Sequence, residues 1–71
     1  MVEEKYIRIG EKLKLLREQK NWSQRKLSEK SGVGPNSVGS YESGKHEPTY
    51  FAVECLLQAM GYRLVIERIE E

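Results

Sequence analysis

The feature that most constrains this chain is the spacing of its stops. Asn21, Gly32, Gly44 and Gly61 each close a stretch with helical apolar spacing. Glycine and asparagine tolerate the left-handed backbone that commonly terminates a helix. The intervals between them admit only short helices. In a chain of 71 residues such helices must pack on one another around one small core. A chain this short hides only about 60% of its unfolded surface, so its stability margin is thin.

The starts are as well marked as the stops. In "YIRIGEKLKLLREQKN", Ile9, Leu13 and Leu16 share one face of a first helix. Ser23 is a good N-cap for a second helix, and Trp22 and Leu27 have the spacing of a hydrophobic staple around it. Gly34 and Pro35 form an N-cap followed by a proline at the first helical position, where the missing N–H removes no hydrogen bond. This predicts a third helix over 35–43, with Val38 and Tyr41 inward and Asn36, Ser37 and Ser40 outward. Thr49 caps a fourth helix to about Met60 that buries Val53, Leu56, Leu57 and Met60. The last segment, "YRLVIERI", is rich in β-branched residues with partial alternation and reads as a strand over 62–69. The expected fold is mainly α: four to five short helices in a single domain over 1–71, plus this C-terminal strand.

Charge is nearly balanced, 12 Lys and Arg against 11 Asp and Glu. It is unevenly spread: residues 1–50 hold 10 basic and 7 acidic side chains, whereas residues 51–71 hold 2 and 4. A basic front and an acidic tail point to one anion-facing surface. The lone cysteine, Cys55, excludes an internal disulfide and a cysteine-rich metal site. "MVEEKYIRIG" has acids where a secretory signal needs bases, and no membrane-length apolar run follows, so a cytoplasmic location is expected. One histidine, one cysteine and no carboxylate cluster on an apolar wall cannot assemble a triad or a metal centre. The chain is therefore not expected to be an enzyme or to need a cofactor.

Two short helices joined by a glycine-containing turn are the helix-turn-helix pattern. The stretch "IGEKLKLLREQKNWSQRKLSEKSGVGPNSVGSYESGKHEPT" resembles the Xre family, the Cro/cI-like, lambda-repressor-like regulators. The features carrying the resemblance are Leu13, Arg17, the "SQ" opening of helix 2, Leu27, Gly32, Val33, Val38, Glu42, Gly44 and Pro48. It covers roughly residues 7–60, and its ordered set of features is more specific than any one of them.

The resemblance implies a sequence-specific regulator of double-stranded DNA, of the repressor type. Its helix 35–43 would enter the major groove as the recognition helix. Pro35, Asn36, Ser37 and Ser40 would then take the base-facing positions. Gln24 and Lys45 would meet DNA phosphates, Gln24 helped by the backbone N–H groups at its helix N-terminus. Arg17 and Glu42 would form a partly buried ion pair tying helix 1 to the end of helix 3. The residues read by themselves agree about Arg17: it borders the apolar stripe four residues from Leu13, where a bare charge is expensive. Read alone, Gln24 could also be a solvated first-turn residue, and Ser37 and Ser40 ordinary surface serines.

Two departures from the family pattern stand out. Gly39 lies mid-helix, about 1 kcal/mol less favourable than alanine. The base-facing set contains no Arg, Lys or Gln. Asparagine can pair bidentately with adenine, serine reads bases ambiguously, and proline offers only apolar contact. Small side chains suit a helix pressed into a groove, with phosphate contacts supplying most affinity and DNA shape part of the preference. His46 is expected to be solvated, with a phosphate contact the lesser reading, Cys55 a core or interface thiol, and Tyr50 and Phe51 packed, with a contact surface as the alternative.

A single strand in a helical chain leaves its backbone groups unpaired. "KYIRI" near the N-terminus is a weaker partner, because Ile9 serves helix 1. The simplest partner is the same segment of a second copy, antiparallel across a two-fold axis. Tyr62, Leu64, Val65 and Ile66 would form that homodimer interface, with Tyr62, Leu64 and Ile66 buried on one face and Arg63 and Glu67 crossing on the other. A dimer would present two recognition helices to a near-palindromic operator. The competing geometry dimerises through helix 4 along Ala52, Cys55 and Ala59. The alternative function is a protein-binding helix-turn-helix docking a partner such as a toxin, since some antitoxins resemble this short architecture with a C-terminal strand. No membrane partner is expected.

Overall fold

The computed structural model describes residues 8–70. The described residues form four helices: α1 Ile9–Gln19, α2 Gln24–Ser31, α3 Pro35–Ser43 and α4 Tyr50–Ala59. Local chemistry sets their ends. The Ser23 hydroxyl accepts from the Lys26 N–H and the Thr49 hydroxyl from the Ala52 N–H, each satisfying a donor that the first helical turn leaves free. Gly34 precedes Pro35 at the start of α3 without a side-chain cap. Asn21 is left-handed at φ 61°, and Gly32 and Gly44 close α2 and α3 in the same region.

The core is one cluster to which all four helices contribute: Leu13 and Leu16, Leu27, Val38, then Val53, Leu56, Leu57 and Met60. Ile9, Trp22, Val33 and Tyr41 pack around it half-buried. The staple pair Trp22 and Leu27 thus brings both its members to the core, and Val33 and Val38, at the same spacing around Gly34, do likewise. α3 packs against both α1 and α2, and α4 packs against α2. The α2–α3 turn is stitched by Ser28, whose buried hydroxyl donates to the Val33 carbonyl at 2.6 Å, and by the Val33 N–H, which donates to the Ser31 hydroxyl at 3.1 Å. These bonds tie the start of α3 to the end of α2.

The expected strand over 62–69 is not found: residues 62–70 carry neither helix nor strand. The physical reason is pairing. A strand exists by its ladder, and among the described residues no other segment offers one. "KYIRI" lies for the most part outside the described residues. The Tyr62 N–H donates to the Leu57 carbonyl at 2.8 Å and ties the tail's root to α4. Leu64 then reaches the core, half-buried. Tyr62 and Ile66, expected to share its buried face, are exposed, as are Val65 and Ile69. Tyr50 and Phe51, expected to pack, are also exposed, Phe51 at 72%. On α4, Ala52 is buried and Ala59 packs against the core, so the small-residue flank is turned largely inward. No helix of the described residues is long and apolar enough to cross a membrane.

Candidate nucleic-acid interface

Three of the sequence-predicted residues meet at the end of α3. The Arg17 guanidinium grips the Glu42 carboxylate with two prongs, Nε to Oε2 at 2.7 Å and Nη2 to Oε1 at 2.9 Å. Its Nη1 donates to the Trp22 carbonyl at 2.6 Å, in the loop before α2. Gln24 Nε2 donates to the same Glu42 Oε1 at 2.9 Å. One carboxylate on α3 thus joins α1 and the first residue of α2, and Arg17 links the pair to the α1–α2 loop. Both charged side chains are nearly sealed from solvent, at 10% and 4% exposure. Burial opposes ionisation of Arg17, yet the hydrogen bond to Glu42, helped by the charges of Glu42 and Glu18, holds its pKa above the ordinary value.

Gln24 is therefore neither simply solvated nor free. Its side-chain nitrogen faces Glu42, and its oxygen lies toward Gly39, where an added Cβ would sit 3.5 Å from it. The amide spans the gap between the start of α2 and the middle of α3. It retains a second N–H, since the side chain carries two donors. Beside it, Lys20 at the end of α1 and Lys26 in the first turn of α2 bring their ammonium groups to 5.0 and 5.9 Å from the Trp22 ring centroid.

The outer side of α3 carries the rest of the predicted set. Pro35 and Asn36 are exposed, and Ser37 and Ser40 half-exposed. Asn36, Ser37 and Ser40 line an open cleft of about 310 Å³ together with Tyr41, His46 and Glu47. Among the described residues, the side chains of Asn36, Ser37 and Ser40 have no protein hydrogen-bond partner, so their polar groups are available to a ligand. Lys45 is exposed in the loop just beyond, and the His46 N–H holds that loop to the Ser40 carbonyl at 3.3 Å. Glu47 was not among the expected residues; it brings an acid to the cleft. An acid can accept from a cytosine amino group while disfavouring phosphate.

Gly10 and Arg8 are further residues that motif reading passed over. Gly10 is buried, and a Cβ there would lie 1.9 Å from the Tyr41 carbonyl oxygen, so α1 approaches the end of α3 at a distance only glycine permits. The one available signal was a glycine inside an amphipathic helix, normally unfavourable. Arg8, at the start of α1, donates to the Tyr41 and Glu42 carbonyls at 3.4 and 3.1 Å. Nothing local marks that contact. Of the four residues expected at a dimer interface, Leu64 packs half-buried against the core, whereas Tyr62, Val65 and Ile66 are exposed in the tail, away from this network in sequence.

The chain's residues 13–66 match a family model described as helix-turn-helix, a span running from α1 into the tail. No curated protein matches the chain.

Proposed function

Because the chain belongs to the Xre (Cro/cI-like) helix-turn-helix family, whose domain is a DNA-binding regulatory one, we propose that it is a sequence-specific repressor that binds double-stranded DNA as a homodimer. The observation that carries this is the outer side of α3, where Asn36, Ser37 and Ser40 project unpaired polar groups into one cleft. α3 lies in the major groove, with Pro35, Asn36, Ser37 and Ser40 toward base edges. Gln24, anchored by Glu42, directs its second N–H to a phosphate. Lys45 meets the backbone beside α3.

The homodimer forms through the tail. Val65, Ile66 and Ile69 are 61%, 86% and 82% exposed, and a second chain gives their backbone the ladder that no other described segment offers. Pairing residues 62–69 antiparallel about a two-fold axis covers Ile66 and supplies the missing strand partner. Two copies of α3 about 34 Å apart then fit two half-sites of a near-palindromic operator. The same exposed apolar residues, with Tyr50 and Phe51, favour a second reading, in which the tail or the start of α4 docks a protein such as a toxin. The two readings are compatible.

Titrating duplex DNA at two salt concentrations tests the DNA reading. The expected result is measurable affinity that falls steeply with salt. Selection of bound fragments from random duplexes should then return a near-palindromic consensus. No affinity at either salt concentration leaves the partner-docking reading alone.

A further inference from the structure

Arg8 occupies the N-cap position of α1, where a short polar side chain is normally favoured, and it makes no side-chain cap there. Its guanidinium is used elsewhere. Nη1 and Nη2 donate to the carbonyls of Tyr41 and Glu42, at 3.4 and 3.1 Å. The plane of the group lies against Gly44, so closely that a Cβ on that residue would stand 3.0 Å from Cζ and Nη1. The last turn of a helix leaves carbonyls without intrahelical partners and is the negative end of the macrodipole. α3 has no basic residue of its own in that turn. A cation from the far end of α1 supplies the charge and a partner for the Glu42 carbonyl, and adds a second donor to the Tyr41 carbonyl, which also accepts from the Gly44 N–H at 3.3 Å.

We propose that Arg8 is a positioning residue for DNA discrimination: it sets the tilt of α3 and, through it, the placement of Asn36 and Ser40. This rests on the DNA reading given above. The Arg17–Glu42 pair alone is one attachment point, about which α3 could pivot. Arg8 attaches the same turn through main-chain carbonyls, and Gly10 lets the two helices close at that point. Asn36 lies five residues back from Tyr41, roughly 7.5 Å along the helix, so a tilt of roughly 8° displaces it by about 1 Å. That displacement is enough to break a hydrogen bond to a base edge. Phosphate contacts made by flexible side chains absorb it.

The experiment uses the full chain and its Arg8→Gln and Arg8→Lys variants, at a temperature where circular dichroism finds each folded. Affinity is measured for a duplex selected by the wild-type protein and for a random-sequence duplex of equal length, over a range of salt. Both variants should lower the selected-to-random affinity ratio, Arg8→Gln by about fivefold or more, the loss of roughly one base contact. Lysine lowers it too, because a point charge does not span two carbonyls as the guanidinium fork does. Affinity for random sequence and the salt slope should stay as in the wild type. A ratio equal to wild type in folded variants overturns the inference and leaves Arg8 a stabilising contact only. A salt slope shallower by about 0.9 also overturns it, because Arg8 would then be meeting a phosphate itself. If Arg8→Gln does not fold, Arg8→Lys is read by the same two measures. A wild-type protein that fails to discriminate between the duplexes overturns the DNA reading instead, and this inference with it.

Discussion

Arg17 and Glu42 face each other fork to fork across the joint between α1 and α3, Nε on Oε2 at 2.7 Å and Nη2 on Oε1 at 2.9 Å, with almost no solvent access. Removing either partner leaves the other charge buried and unpaired. Arg17→Met or Glu42→Gln should therefore destabilise the chain by about 3–5 kcal/mol. A double-mutant cycle in urea should return a coupling energy well above that of a surface pair, which is about 0–1 kcal/mol. A coupling near zero would falsify a cooperative role for the pair. Its pH dependence follows from the sign of the Arg17 shift. The folded pKa is raised, so the stabilisation is present in full below the unfolded value and is lost only as pH rises through a strongly alkaline range. Titration of Arg17 should contribute no slope to stability between pH 6 and 9.

Gly10→Ala should be among the most damaging single-methyl additions in the chain. The new Cβ would overlap the Tyr41 carbonyl oxygen, and both atoms belong to packed helices. Overpacking of this kind costs about 1–3 kcal/mol and sometimes more. Urea denaturation measures it as a lowered midpoint. An unchanged midpoint would mean that α1 and α3 can separate freely at this joint.

Gly39→Ala should act in the opposite direction. Its φ is not in the left-handed region, and the added Cβ would meet the Gln24 side-chain oxygen at an ordinary 3.5 Å. Helix propensity then favours alanine by about 1 kcal/mol, a rise in melting temperature of about 4–8 °C for a domain of this size. A lower melting temperature contradicts the geometry around Gln24.

For DNA binding, Asn36→Ala and Ser40→Ala should relax base preference, by about 1–3 kcal/mol at a position that asparagine reads bidentately. Gln24→Ala and Lys45→Ala should weaken binding to all sequences alike, and Lys45→Ala should make the salt slope shallower by about 0.9. Comparing fragment selections and salt titrations across the four variants checks this. If Asn36→Ala and Lys45→Ala both keep the wild-type profile, α3 is not docked as proposed.

Truncation after Gly61 removes the exposed Val65, Ile66 and Ile69 together with Leu64. The truncated chain should sediment as a monomer at low micromolar concentration, where the full chain is expected to sediment as a dimer. A truncated dimer would assign the interface to another surface.

The helices of this protein were legible in the sequence because their boundaries are local events. Ser23 and Thr49 cap the residues three places ahead, and Gly32 and Gly44 turn the backbone on their own. The core was legible for the same reason: Leu13, Leu27, Val38 and Leu56 lie on the apolar side of their own helices. The tail was not, because β-branched composition states a preference for extended backbone, whereas a strand needs a neighbour that the described residues do not provide. Tyr50 and Phe51 misled in a similar way. Their apolar character says nothing about which surface is left uncovered once α4 has turned Val53, Leu56 and Leu57 inward. The sequence by itself determined where each helix begins and ends and which side of it is apolar. The family resemblance anticipated the Arg17–Glu42 pair; only the tertiary structure decided that Gln24 would join it on the same carboxylate, that Arg8 would close the end of α3, and that Gly10 would be required where the two helices meet. Those contacts join residues 18 to 34 positions apart, and such distances are closed only by burying the shared core.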